Sequence, residues 1–137
     1  MKKNVLITGG FGVLGQSLVR KLNFSKYKIF ILDKKKYEEK KKFLYKFFKN
    51  VKIIHGDFND QKFIFNIIKK NNIKIIFHTG AVTQVLQSLN DPEETYKTNI
   101  GGTLNFLEAI KKINKKMVLI YSSSDKAYEA LRSKKYI

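Results

Sequence analysis

The chain has 137 residues, a hydrophobic fraction of 43% and a formal net charge of +17, with no cysteine and two histidines, His55 and His78. That length suits one domain, and the absence of cysteine excludes a disulfide framework, a thiolate nucleophile and a cysteine zinc site. No apolar run approaches the ~18 residues of a membrane span, and the apolar stretch near the N-terminus is too short for a signal peptide, so a cytoplasmic protein is expected.

Val5 to Thr8 is a short apolar run closed by Gly9-Gly10, the pattern of a buried strand. Val13 to Leu22 places Leu14, Leu18, Val19 and Leu22 on one helical face. Ile29 to Leu32 predicts a second strand ending at Asp33. Tyr37 to Lys49 repeats Phe43, Leu44, Phe47 and Phe48 at helical spacing. Val51 to His55 predicts a third strand, stopped by Gly56-Asp57. Asp60 is placed to cap a helix carrying Phe63, Ile64, Ile67 and Ile68. Lys74 to His78 predicts the fourth strand. Asp91-Pro92-Glu93-Glu94 opens one long helix running through Leu104, Leu107 and Ile110, and Met117 to Tyr121 predicts the fifth strand. Strands that are short, nearly continuous apolar runs alternating with helices imply an α/β fold with a parallel sheet covered on both faces. The expected architecture is a Rossmann-type doubly wound sheet of five strands in the order 3-2-1-4-5.

The charge requires a decision between a nucleic-acid partner and composition. Of the 28 basic residues all are lysine except Arg20 and Arg132, and base-edge readers depend on arginine's planar fork. Lysine also accompanies abundant Ile, Asn, Phe and Tyr, so we read the charge as compositional and expect no nucleic-acid and no membrane partner. The densest lysine run, Lys34 to Lys42, is interrupted by Glu38 and Glu39 at spacings that suit a solvated helix.

Gly9-Gly10-Phe11-Gly12-Val13-Leu14-Gly15 follows the first strand and opens the first helix, with Gly10, Gly12 and Gly15 in the three positions of G-x-G-x-x-G. In that context one glycine permits the turn, one lets a pyrophosphate approach the backbone, and one lets helix and strand pack closely. Phosphates then rest on the free N–H groups of the helix start. Asp33, 18 residues after Gly15, stands where a carboxylate holds the ribose hydroxyls of NAD and repels the 2′-phosphate of NADP. Lys34 to Lys36 oppose that preference, because a lysine there attracts the same phosphate. Asp57 and Phe58 after the third strand, and Thr79, Gly80 and Ala81 after the fourth, lie at the same carboxyl edge. His78 at a strand end is more often a packed residue than a base.

These motifs resemble the extended short-chain dehydrogenase/reductases, in particular the NAD-dependent epimerase/dehydratases that act on nucleotide-sugars. The resemblance covers residues 3–129 and rests on Thr8 to Gly15, Asp33, Gly56-Asp57, His78-Thr79-Gly80-Ala81, Asp91-Pro92, Asn99-Ile100-Gly101-Gly102-Thr103, Leu107-Glu108-Ala109 and Ser122 to Tyr128. Gly80 replaces a usual Ala, and Glu129 a common Gly. It implies NAD as cofactor, with Gly9, Gly10, Phe11, Gly12, Val13, Leu14, Gly15, Asp33, Asp57, Phe58, Thr79, Gly80, Ala81, Asn99 and Ser122 around it. It also implies that Ser124 bonds the sugar 4-hydroxyl. Dehydratase members place an acid and a second polar group next, which Asp125 and Lys126 resemble: Asp125 would protonate the departing 6-hydroxyl and Lys126 assist proton removal from C5. An epimerase needs only Ser124.

The family's Tyr-x-x-x-Lys base, expected beyond Ser124, is not found there. Tyr128 is followed at that spacing by Arg132, and no residue stands four positions after Tyr136. The expectation is an NAD-binding Rossmann domain over 1–129 with an unmatched tail over 130–137, belonging to a nucleotide-sugar epimerase/dehydratase and leaning to 4,6-dehydratase chemistry. It is expected to be inactive alone. The alternative is a non-catalytic NAD-binding module completed by a partner chain, and the partners considered are a nucleotide-sugar, a second copy in a homodimer, or that complementing chain.

Overall fold

The computed structural model describes residues 2–34 and 50–124. The predicted helix over 37–49, together with Asp125, Lys126 and the tail, lies outside the described residues. Five parallel strands, β1 (Lys3–Thr8), β2 (Tyr27–Asp33), β3 (Lys52–His55), β4 (Ile75–His78) and β5 (Val118–Tyr121), form one sheet in the order β3-β2-β1-β4-β5. This is the expected doubly wound order. The described helices are α1 (Val13–Lys21), α2 (Gln61–Lys70), α3 (Val85–Asn90), α4 (Pro92–Tyr96) and α5 (Gly102–Ile113), with a π-helical turn, Lys97–Gly101, joining α4 to α5.

Alternation along the strands sorts the core onto two faces. Leu6, Phe30, Leu32 and Ile76 face one side, where Ile64, Ile67 and Ile68 of α2 and Phe106 and Ala109 of α5 close over them. Val5, Ile7, Ile29 and Ile31 face the other and pack on Val19 of α1. Both faces of β1 and β2 are therefore covered, which is why their apolar runs are unbroken. Asp60 caps α2 as expected, its side chain accepting the Phe63 N–H at 2.9 Å. Arg20 and Lys21, Lys69 and Lys70, and Lys111 and Lys112 occupy the last turns of α1, α2 and α5, where cations complement the helix dipole.

Three local expectations change. The single long helix from Asp91 is α4, a π-turn and α5 in succession, and Val85–Asn90 forms a helix that the sequence pattern does not announce. Leu14 leaves the predicted apolar face of α1 and is 56% exposed, because the first turn of that helix opens onto a cleft rather than the sheet.

Candidate functional site: a dinucleotide cleft

The strand order reverses between β1 and β4, which diverge to opposite halves of the sheet. Open α/β sheets bind ligands in the crevice that this reversal leaves at the carboxyl ends. Here the crevice is a cleft of about 490 Å³, lined from the β1–α1 loop by Gly9, Phe11, Gly12, Val13, Leu14 and Gly15. From β2 come Asp33 and Lys34; Phe58, Thr79, Gly80, Ala81, Val82 and Thr83 form the opposite wall, and Gln87, Glu94 and Thr98 close one end.

The glycines of the first loop answer to different demands. Gly9 has φ +61° and approaches the β4 loop so closely that a Cβ would stand 2.8 Å from Gly80 Cα. A Cβ on Gly15 would collide with Gly9 O and Gly10 Cα, and one on Gly10 with Ile31. Those positions are fixed by protein packing. Gly12 is different: its φ of −75° suits any residue, it is exposed, and a Cβ there would meet only Gly9 O at 3.1 Å. It stands at the N-cap of α1, with no side chain capping the helix and no acidic residue in the first turn. The cradle suits a diphosphate, which needs close backbone approach and the unfilled N–H groups of a helix start. Asp33 closes the end of β2 beside it, its Oδ2 accepting the Phe11 N–H at 3.1 Å, so that the carboxylate is fixed to the loop that would carry the phosphates.

The opposite wall is built on Thr8. Its Oγ accepts the N–H groups of Thr79 at 3.1 Å and Gly80 at 3.0 Å, while Thr79 Oγ donates to Thr8 O at 2.6 Å. Thr8 Oγ also lies 2.7 Å from His78 Nδ1. A hydroxyl has one proton, and with two amides donating to its oxygen that proton goes to Nδ1. The imidazole N–H is then at Nε2, which finds no hydrogen-bond partner among the described residues. The ring is 1% exposed and sits between Phe58, Phe106 and Tyr121 at centroid distances of 5.1, 4.7 and 5.9 Å. Burial lowers its pKa to about 4, so His78 is a neutral packed residue that anchors Thr8.

The remaining expected residues take supporting positions. Gly10 lies behind the loop against Ile31. Asn99, on the π-turn, clamps the backbone of Val82, accepting its N–H at 2.8 Å and donating to its carbonyl at 3.0 Å. The π-turn re-aims this side chain toward the cleft wall, a recurrent use of such insertions. Phe58 is 7% exposed and packs on His78, contributing a ring edge to the cleft from beneath Gly80. Asp57 pairs with Lys34 at 2.9 Å. Ser122 N donates to His78 O at 3.2 Å, bringing the end of β5 beside that of β4, and Ser124 is exposed just beyond. The sequence does not single out Val82, Thr83, Gln87, Glu94 or Thr98. Glu94 and Thr98 arrive from a helix remote in the chain, and the one available signal was Asp91-Pro92, which marks where that helix begins.

Among the described residues no cluster of acidic, histidine or cysteine side chains could hold a metal ion, and no helix is long and apolar enough to cross a membrane. The fold matches a UDP-glucose 4-epimerase from Stenotrophomonas maltophila, solved with NAD and formylated UDP-arabinopyranose, with TM-score 0.82 at 21% identity, over 96% of this chain and 40% of that one. A UDP-glucose 4-epimerase from Bifidobacterium longum, solved with NAD⁺ and UDP, matches with TM-score 0.78 at 28% identity, over 92% of this chain and 38% of that one. In sequence the chain is 30% identical to CDP-paratose 2-epimerase of Salmonella typhi, over 96% of this chain and 40% of the relative. It is 35% identical to a trifunctional UDP-glucose 4,6-dehydratase/3,5-epimerase/reductase of Arabidopsis thaliana, over 92% of this chain and 20% of the relative. The chain thus spans two fifths or less of the length of these relatives. With the signature of the NAD dependent epimerase/dehydratase family matched over residues 5–136, the chain belongs to that family, and its cofactor is NAD.

Proposed function

We propose that this chain is the NAD-binding part of a nucleotide-sugar epimerase/dehydratase, with 4,6-dehydratase chemistry favoured for the whole enzyme. The observation that carries the cofactor reading is Gly12, a glycine that the protein's own packing barely requires, at the uncapped start of α1 and on the cleft. The loop from Gly9 to Gly15 holds the diphosphate, Asp33 accepts the adenosine ribose hydroxyls, and Thr79 to Ala81 lie along the cofactor. When bound, NAD supplies a hydride acceptor for the sugar and returns the hydride later in the cycle. Ser124, at the carboxyl edge beside β4, bonds the sugar 4-hydroxyl. Asp125 and Lys126 follow it, Asp125 as the acid of a water elimination and Lys126 assisting proton removal from C5, and these two favour dehydratase over epimerase.

Two measurements test this. Calorimetric titration should give saturable NAD binding that Asp33→Ala weakens about tenfold or more, the scale of lost hydrogen bonds to a charged acceptor. Combined with a C-terminal segment carrying Tyr-x-x-x-Lys, the chain should release a 4-keto-6-deoxy nucleotide-sugar; a 4-epimer as the sole product would leave only the epimerase reading. A second reading, an NAD module completed by a partner chain, is supported by apolar surface at the sheet edge. Val118, Ile120 and Tyr121 of β5 are 49, 44 and 48% exposed, and such a patch suits a covering partner.

A further inference from the structure

Lys34 directly follows Asp33 and lines the same cleft. A lysine in that place is suited to receive the 2′-phosphate of NADP and so to oppose the choice of cofactor. Its Nζ is instead held between two carboxylates from separate parts of the chain, Asp57 Oδ2 and Glu94 Oε1, each at 2.9 Å. Neither carboxylate is a loose surface group. Asp57 Oδ1 accepts the Asn59 N–H at 2.9 Å, fixing it to the turn after β3, and Glu94 Oε1 accepts the Thr98 hydroxyl at 3.1 Å. Thr98 is itself 6% exposed. Anchoring both acceptors lowers the conformational cost that makes most surface ion pairs worth little. Burial by itself would lower the Lys34 pKa, but the hydrogen bonds of Asp57 and Glu94 outweigh it and hold the ammonium above its usual value. The hydrogen bond from Lys34, followed by that from Thr98, holds the Glu94 carboxyl below its usual range.

We propose that Asp57 and Glu94 form a carboxylate trap that takes Lys34 away from the ribose end of the cleft, making Glu94 a determinant of NAD over NADP selection in addition to Asp33. This rests on NAD occupying the cleft. With the trap intact, two carboxylates offset the single positive charge of Lys34, and Asp33 lines the same cleft, so little positive charge is left there to draw in a phosphate dianion. With Glu94 neutralised, one of the two carboxylates no longer offsets the Lys34 charge, and the ammonium is held from one side only, which lets it turn to that phosphate.

The test is titration of the chain with NAD and with NADP, reading the ratio of the two affinities. Glu94→Gln should shift that ratio toward NADP by about tenfold, the gain expected from one charge-assisted contact to phosphate. Adding Lys34→Met to Glu94→Gln should abolish the shift. Glu93→Gln, which changes net charge equally next to the trap, should move the ratio less than about twofold, because an exposed charge without a direct contact is largely screened. Should Glu94→Gln fold poorly, Asp57→Asn opens the trap from the other side and should shift the ratio in the same direction. An unchanged ratio in both single variants, or a shift that persists without Lys34, overturns the trap while NAD binding by the parent chain stands. Failure of the parent chain to bind either dinucleotide overturns the cofactor assignment and the trap together.

Discussion

Replacing Thr8 by Val keeps the shape of a fully buried side chain and removes the one hydroxyl on which the β4 loop is built. Three partners lose it: the N–H groups of Thr79 and Gly80, and Nδ1 of His78. The two amides lie at the cleft, are half-buried and can recover water, at a cost of roughly 0.5–1 kcal/mol each. Nδ1 belongs to a ring that is 1% exposed and has no route to water, so its loss costs roughly 1–3 kcal/mol. The total is about 3 kcal/mol, which for a chain of this size lowers the melting temperature by roughly 10 °C. Thr8→Ser retains the hydroxyl and removes only a buried methyl, for about 1 kcal/mol. Denaturant unfolding of both variants with the parent chain measures the difference. The Val variant must be the less stable by about 2 kcal/mol, within the scale set for lost buried hydrogen bonds. If the Ser variant loses as much as the Val variant or more, Thr8 acts by packing, and the tautomer assigned to His78 fails with it.

His78 should make stability depend on acid. Its folded pKa of about 4 lies below the 6.5 of an unhindered imidazole, so between these values the unfolded chain binds a proton that the folded one refuses. The stabilisation is complete above pH 6.5 and is lost as pH falls toward 4, at about 1.4 kcal/mol per pH unit and about 3 kcal/mol in all. Urea midpoints across that window should show it, and His78→Gln should flatten this part of the profile. Gly12→Ala and Gly15→Ala should separate binding from folding. The first should lower NAD affinity at least about tenfold with under about 1 kcal/mol lost in stability, and the second should cost roughly 2 kcal/mol or more through backbone overlap. Equal stability losses in the two would contradict the division of roles read from their surroundings. Asn99→Ala should release Val82 and weaken NAD binding roughly three- to tenfold, while the cost in stability stays near 1 kcal/mol per lost hydrogen bond; unchanged NAD affinity would show that the clamp is not needed to position the wall.

Much of the fold was legible in the sequence because its strands are buried on both faces, so that Val5 to Ile7, Ile29 to Leu32 and Ile75 to Phe77 appear as unbroken apolar runs. The glycine-rich loop between β1 and α1 was legible from the spacing of its glycines. Gly12 and Gly15 meet neighbours within a few residues of sequence, in a strand, turn and helix whose geometry is local, whereas the demands on Gly9 and Gly10 come from Gly80 and Ile31. Helix α3 was not legible, since Val85, Leu86 and Leu89 are all more than 70% exposed and no core imposes a helical period on them. Leu14 was misplaced because the periodicity of α1 records which residues are apolar, and a cleft accepts an apolar side chain as readily as a core does.

The sequence by itself therefore determined the parallel order β3-β2-β1-β4-β5, the glycine loop at the start of α1 and the carboxylate of Asp33 at the cleft. Only the tertiary structure decided what His78 and Lys34 do. A histidine at a strand end and a lysine after an aspartate have local contexts that fit several roles. His78 becomes neutral and packed because residues from β1, α5 and β5 close around it. Lys34 is paired with carboxylates because Glu94, 60 residues along the chain, arrives within hydrogen-bond reach. Charge and desolvation act through space, and the distances that set them are fixed by packing between segments rather than by spacing along the chain.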